Sequence, residues 1–142
     1  MINNKIQRLL SQTSKGYSGE RNCFGLLMFL KGLTKEETYV SPKEVNNFLD
    51  RLTKIEQLEA DSIIIYYNKE HKEFWHGIYV LDTNEESIAN VVHREFSTKH
   101  SLTETEMLAL GLDYRVKLTT LLDPRIAKYH YNSEEYKTLF FR

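Results

Sequence analysis

The chain has 142 residues, with 19 Lys and Arg against 20 Asp and Glu, a formal charge of −1, one Cys and two Pro. A chain of this length buries about 68–70% of the surface its unfolded form exposes. With 41% hydrophobic and 12% aromatic residues it has enough apolar surface to offset conformational entropy, which excludes intrinsic disorder. Interspersed charge with so small an excess leaves no electrostatic footprint for nucleic acid or an anionic membrane, so neither is an expected partner.

The opening stretch MINNKIQRLLSQTSK lacks the apolar segment ending in small residues that marks a signal peptide. The expectation is a cytoplasmic protein, or one that leaves the cell by a route independent of a signal peptide. Ile2, Ile6, Leu9 and Leu10 predict a short amphipathic helix, which the turn residues of SKGYSGERN end. The next segment, CFGLLMFLKGL, is apolar on nearly every face and stops near Gly32; such a helix belongs inside a protein. Its longest apolar run, Leu26 to Leu30, is far short of the roughly 20 residues that span a bilayer. In SPKE, Ser41 can cap a third helix, Pro42 suits its first position and Glu44 closes a capping box. Val45, Phe48, Leu49 and Leu52 then form its apolar stripe.

The middle of the chain changes period. Ile63 to Tyr67, Trp75 to Leu81 and Ile88 to Val92 are short β-branched and aromatic runs, separated by NKEHKE and DTNEES, and predict three adjacent antiparallel strands. Thr103 and Glu106 form a second box before a helix that Gly111 ends. Tyr114, Val116 and Leu118 alternate with Arg115, Lys117 and Thr119, which predicts a strand with one wet face. EYKTLFFR predicts a last strand. The Lys/Glu clusters at Lys35 to Glu37 and Lys69 to Glu73 read as solvated loops, and Tyr129, Tyr131, Tyr136, Phe140 and Phe141 as packing residues rather than a groove. No repeat or linker divides the chain. Helices first and a meander afterwards predict a single α+β domain over residues 1–142, with N-terminal helices packed on a central antiparallel sheet.

A lone cysteine cannot close an intramolecular disulfide, so stability rests on the core. Cys23 lies where a loop meets the start of the buried helix, where unpaired N–H groups and the helix dipole favour a thiolate, the nucleophilic form. A small buried apolar residue is the plain alternative. A nucleophilic thiol needs a base, and the base needs a group that orients it. Among five histidines, His71 and His100 sit in polar loops and His130 in a structural aromatic segment. His76 opens a strand that places it on one face with Ile78 and Val80, beside Gly77, which permits close approach. His93 ends the following run, so pairing of the two strands brings both imidazoles to one end of the sheet. Cys23, His76 and His93 could instead hold a catalytic zinc, although no short C-x-x-C or H-x-x-x-H spacing supports that.

Four segments occur in order: N-C-F-G-L-L at Asn22 to Leu27, A-D-S-I-I-I-Y at Ala60 to Tyr66, H-G-I-Y-V at His76 to Val80 and V-V-H at Val91 to His93. Together they resemble the NlpC-like branch of the papain-like cysteine peptidases. That family has D-C-S-G-L at a helix start, a G-D-L-V-F-F strand, an H-V-G-I-Y strand and an I-H-A segment. The resemblance covers residues 17 to 95 and implies a papain-like fold without cofactor. It implies Cys23 as nucleophile, His76 as general base and then acid, His93 as the group that orients His76, and a structural Asp61. Tyr17 stands nearest to the family's substrate- or oxyanion-binding tyrosine, though closer to the cysteine than usual. Asn22, Phe24, Ala60 and the absence of Val between His76 and Gly77 depart from the pattern. Because His93 is neutral, Glu95 and Asp82 remain alternatives for the third position. The implied activity is hydrolysis of amide or peptide bonds through a thioester, with a cell-wall peptide or a peptide as substrate. Deamidation or acyl transfer by an effector, and a catalytically inactive interaction module in which Phe24 and Trp75 fill the groove, are the alternatives. An inhibitory or immunity protein is an implied partner.

Overall fold

The computed structural model describes residues 3–12, 20–83 and 88–142. Tyr17, Ile2, most of the SKGYSGERN turn and residues 84–87 of the DTNEES turn lie outside the described residues. The elements follow as α1 (Asn4–Leu10), α2 (Cys23–Leu30), α3 (Val45–Leu49), β1 (Lys54–Ile55), β2 (Ile63–Asn68), β3 (Glu73–Val80), β4 (Asn90–Arg94), α4 (Glu104–Ala109), β5 (Val116–Thr120), α5 (Pro124–His130) and β6 (Tyr136–Phe141). The strands form one antiparallel sheet in the order β1-β6-β2-β3-β4-β5. The chain is therefore α+β. No helix among the described residues is long and apolar enough to cross a membrane.

Local chemistry places α1, α2 and α4 where the sequence puts them, but α3 starts only at Val45 and ends before Leu52, so Pro42 lies in a turn ahead of it and Ser41 is not its cap. Asn3 caps α1 by accepting from the N–H of Ile6, and Ile6 and Leu9 are its buried stripe. Ser41 and Glu44 form the reciprocal box, each side chain accepting the other's backbone N–H. Thr103 caps α4, and Gly111, in the left-handed region, ends it. Helix α2 is buried from Phe24 through Phe29, and burying each large apolar side chain contributes about 1.5–3 kcal/mol.

The strand alternation sorts the residues of the sheet into two clusters, one on each face, and a third, small cluster holds Met107 and Tyr114. Ile63, Ile65, Tyr79, Val92 and Phe141 pack with the N-terminal helices. Ile64, Tyr66, Ile78, Val80 and Val91 pack with Leu121, Ile126 and Tyr136 around α5. The predicted trio is realised as β2, β3 and β4, side by side and antiparallel, with Tyr66 opposite His76 and Tyr79 opposite Val92.

Four other sequence expectations need correction. Leu118 is exposed although Val116 is buried, because β5 is the edge strand of the sheet, and Tyr114 lies before β5 and packs on Met107 instead. Ile88 is exposed and precedes β4, which starts at Asn90. Glu37 is not a solvated charge; it is buried against Arg94, with Nε 2.7 Å from its carboxylate, and near Arg21. Helix α5 and the two-residue β1 were not expected. The signal for α5 was present, since Asp123 accepts from Arg125 N–H and Pro124 occupies the first turn.

Candidate active site

Asn22 fixes the start of α2. Its Oδ1 accepts the N–H groups of Gly25 and Val40 at 2.9 and 3.0 Å, and its Nδ2 donates to the Val40 carbonyl at 2.6 Å. A carboxylate could accept those two hydrogens but could not donate to Val40. That explains the departure from the Asp of the resembling family: the buried position requires both a donor and an acceptor. Gly25 allows the Thr38 carbonyl to press against the helix; a Cβ there would stand 1.5 Å from the Thr38 oxygen.

Cys23 follows as the first residue of α2, and its sulfur lies against the backbone N–H groups of Gly77, Phe24 and Cys23 itself. Strands β3 and β4 pair only at Tyr79↔Val92 and Val80↔Val91. Gly77, two residues upstream of Tyr79 on the same backbone edge, lies where they have parted, and its N–H is directed at the sulfur instead of at a neighbouring strand. Gly77 also lets α2 approach the sheet, because a Cβ at that position would meet Leu27 Cδ1 at 2.6 Å. Burial pushes the Cys23 thiol up to about 12, and the three N–H groups oppose that rise without cancelling it. This differs from the thiolate expected of a helix start: in the resting chain desolvation outweighs the backbone donors.

His76 and His93 meet as the strand pairing predicts. His76 shares a face with Tyr66, Ile78 and Val80, and its Nε2 stands 3.3 Å from Nδ1 of His93. The rings are edge to face, with centroids 5.5 Å apart. One of these nitrogens donates and the other accepts. The tautomer with Nε2–H on His76 leaves its Nδ1 as a bare acceptor, the state a general base requires, and puts the His93 proton on Nε2. That Nε2 is buried without a hydrogen-bond partner among the described residues. Burial, then the neighbouring His93 and Lys128, pushes His76 down to about 3; burial and Arg125 push His93 down to about 4, opposed by Asp123 and Glu95. Both imidazoles are therefore neutral at pH 7.

Cys23 and His76 line one cleft of about 290 Å³, together with Tyr39, Trp75, Glu95 and Tyr129. Among the described residues no direct hydrogen bond joins the sulfur to His76; its donors are the backbone N–H groups. Tyr129 stacks on His76 with centroids 5.1 Å apart and rings inclined by 24°, and on Tyr66 at 5.7 Å. It was read from sequence as packing, and it does pack, but as a wall of the cleft.

The other predicted residues fall away from the two rings. Glu95 borders the cleft, with its carboxylate held by Arg125 and Lys117. Asp82 accepts from Asn90 beyond the far end of β3. Asp61 joins the start of β2 to its surroundings, accepting from Tyr79 and facing Lys31 at 3.6 Å. His71 and His100 are exposed, and His130 meets the Tyr66 hydroxyl at 2.8 Å. Tyr17 lies outside the described residues. Among the described residues no group of three or more His, Cys, Asp and Glu side chains is arranged to hold a metal ion. A larger depression of about 750 Å³ beside α1 is lined by Lys5, Arg8 and Glu36 among others and contains neither histidine nor cysteine. No protein-family model matches the chain, and no curated protein or solved structure matches it.

Proposed function

We propose that the chain is a cysteine hydrolase of the NlpC-like, papain-like type, cleaving an amide or peptide bond with Cys23 as nucleophile, His76 as base and acid, and His93 as the group that orients His76. The observation that carries this reading is the contact of His76 Nε2 with His93 Nδ1, with His76 lining the cleft that also holds the cysteine at the head of a buried helix. A lone buried cysteine would need neither imidazole. The substrate proposed is a cell-wall peptide, or a protein target if the chain acts as an effector; deamidation and acyl transfer use the same acyl-enzyme.

Because thiol and imidazole both rest neutral, proton transfer accompanies attack. The thiol proton passes to Nδ1 of His76 as sulfur bonds to the carbonyl carbon and the π pair moves to oxygen. Collapse of the adduct breaks the C–N bond, and His76 returns the proton to the leaving amine. Water, deprotonated by the same imidazole, then cleaves the thioester and restores the thiol. The reaction requires the sulfur and the ring, which line the same cleft, to come within hydrogen-bond reach when substrate binds.

A second reading has two observations in its favour. The sulfur makes no hydrogen bond to the imidazole, and Trp75, 38% exposed at the cleft, suits a partner-binding surface on a catalytically silent module. Incubation of wild type and Cys23→Ala with cell-wall peptide fragments and a panel of glutamine-containing proteins, read by mass spectrometry, separates these cases. Cleavage or deamidation by the wild type alone is expected. Identical spectra from the two proteins across both panels would sink the hydrolase reading.

A further inference from the structure

We propose that the Tyr129 hydroxyl is the side-chain donor that holds the substrate oxygen when the Cys23 sulfur attacks. The inference rests on the hydrolase reading above and adds a residue from the opposite end of the chain. Three observations carry it. Tyr129 lines the cleft that contains Cys23 and His76. Its ring is fixed by stacking on His76 at 5.1 Å and on Tyr66 at 5.7 Å, and Tyr66 is tied to α5 by its contact with His130 at 2.8 Å. Its hydroxyl makes no hydrogen bond to any described residue, although the side chain is half-buried.

A half-buried phenol with an unoccupied donor, held by stacking in the same cleft as a nucleophile, provides at little reorganisation cost what an oxyanion needs. Burial raises the pKa of the hydroxyl, and negative charge on Cys23 and Glu95 raises it further. The phenol therefore stays protonated and able to donate throughout the reaction. The Cys23 N–H, which faces the sulfur in the resting chain, is the second donor to the same oxygen. In this step the thiol proton goes to His76 and the carbonyl π pair to oxygen, while the phenol proton is shared in a hydrogen bond and not transferred.

The probe pair p-nitrophenyl acetate and iodoacetamide separates this role from packing. The ester acylates sulfur through an oxyanion and releases p-nitrophenolate; iodoacetamide alkylates sulfur by displacing iodide, with no oxyanion. Tyr129→Phe keeps the ring against His76 and removes only the hydroxyl. The expected result is acylation slowed by about 10²-fold, with the alkylation rate at the same pH unchanged. Acylation as fast as wild type would overturn the proposal. Equal slowing of both reactions would also overturn it, by making Tyr129 a packing residue alone. If wild type releases no more nitrophenolate than Cys23→Ala, the hydrolase reading fails first and this inference falls with it; Cys23-dependent release unaffected by Tyr129→Phe overturns only the inference.

Discussion

Cys23 and His76 are placed in one cleft yet held in their uncharged forms, and this sets the pH behaviour of the thiol. With its pKa pushed up to about 12 from an ordinary 9.0, the thiolate fraction at neutral pH lies below that of an ordinary cysteine. Alkylation by iodoacetamide should therefore be slower than for free cysteine at pH 7 and climb continuously through pH 10, because only the thiolate reacts. A rate that levels off below pH 7 would mean that a thiolate–imidazolium pair is already formed. A helix start alone suggests the opposite, because position along the sequence reports the N–H groups but not the depth at which the sulfur lies. The His76–His93 contact, in contrast, was legible: alternation in β3 and β4 fixes which side chains share a face, and both rings lie on it. Tyr129 was not, because nothing in its neighbours reveals that α5 crosses the sheet beside His76.

At the level of elements, two glycines govern how closely α2 seats against its surroundings. At Gly25 an added Cβ would overlap the Thr38 carbonyl, with 1.5 Å to oxygen and 2.7 Å to carbon, and backbone cannot swing aside as a side chain can. At Gly77 the obstruction is the tip of Leu27, which can. Chemical denaturation should rank the variants accordingly. Gly77→Ala should lose about 1–3 kcal/mol, the usual cost of overpacking, and Gly25→Ala should lose more. Equal losses would show that the Thr38 segment yields freely. Helices α2 and α4 were readable because their signals are local, an unbroken apolar run in one and the Thr103 cap in the other, whereas the start of α3 was not, since the Ser41–Glu44 box closes a turn before it. The β1–β6 pairing was not readable, since Lys54 and Ile55 are too few to show a period and their partners are Phe141 and Phe140.

Across the whole molecule, the buried pair of Arg94 and Glu37 joins β4 to the segment before α3, with two contacts at 2.7 and 2.8 Å. Arg94 follows His93 directly, and Arg21, which also faces Glu37 at 3.5 Å, stands two residues before Cys23. One carboxylate thus lies between the strand that carries an imidazole and the approach to the sulfur. Glu37→Gln removes the charge that compensates a fully buried guanidinium and should cost about 3–5 kcal/mol, measured as a lowered urea midpoint with an unchanged slope. A loss no larger than that of a surface substitution would show that solvent enters to replace the carboxylate. A charge run such as KEE at Lys35 to Glu37 does not announce a buried member, because its partner lies far along the chain. The sheet has the same character on a larger scale. β6 inserts between β1 and β2, pairing Ile63 with Phe141, so a ribosome-bound chain that has emerged through β4 still presents one flank of β2 bare. Until the final strand closes that gap, the nascent protein has a sticky β-edge and no finished scaffold beneath its cleft, and the interval between synthesis and closure is when it most needs shielding from aggregation.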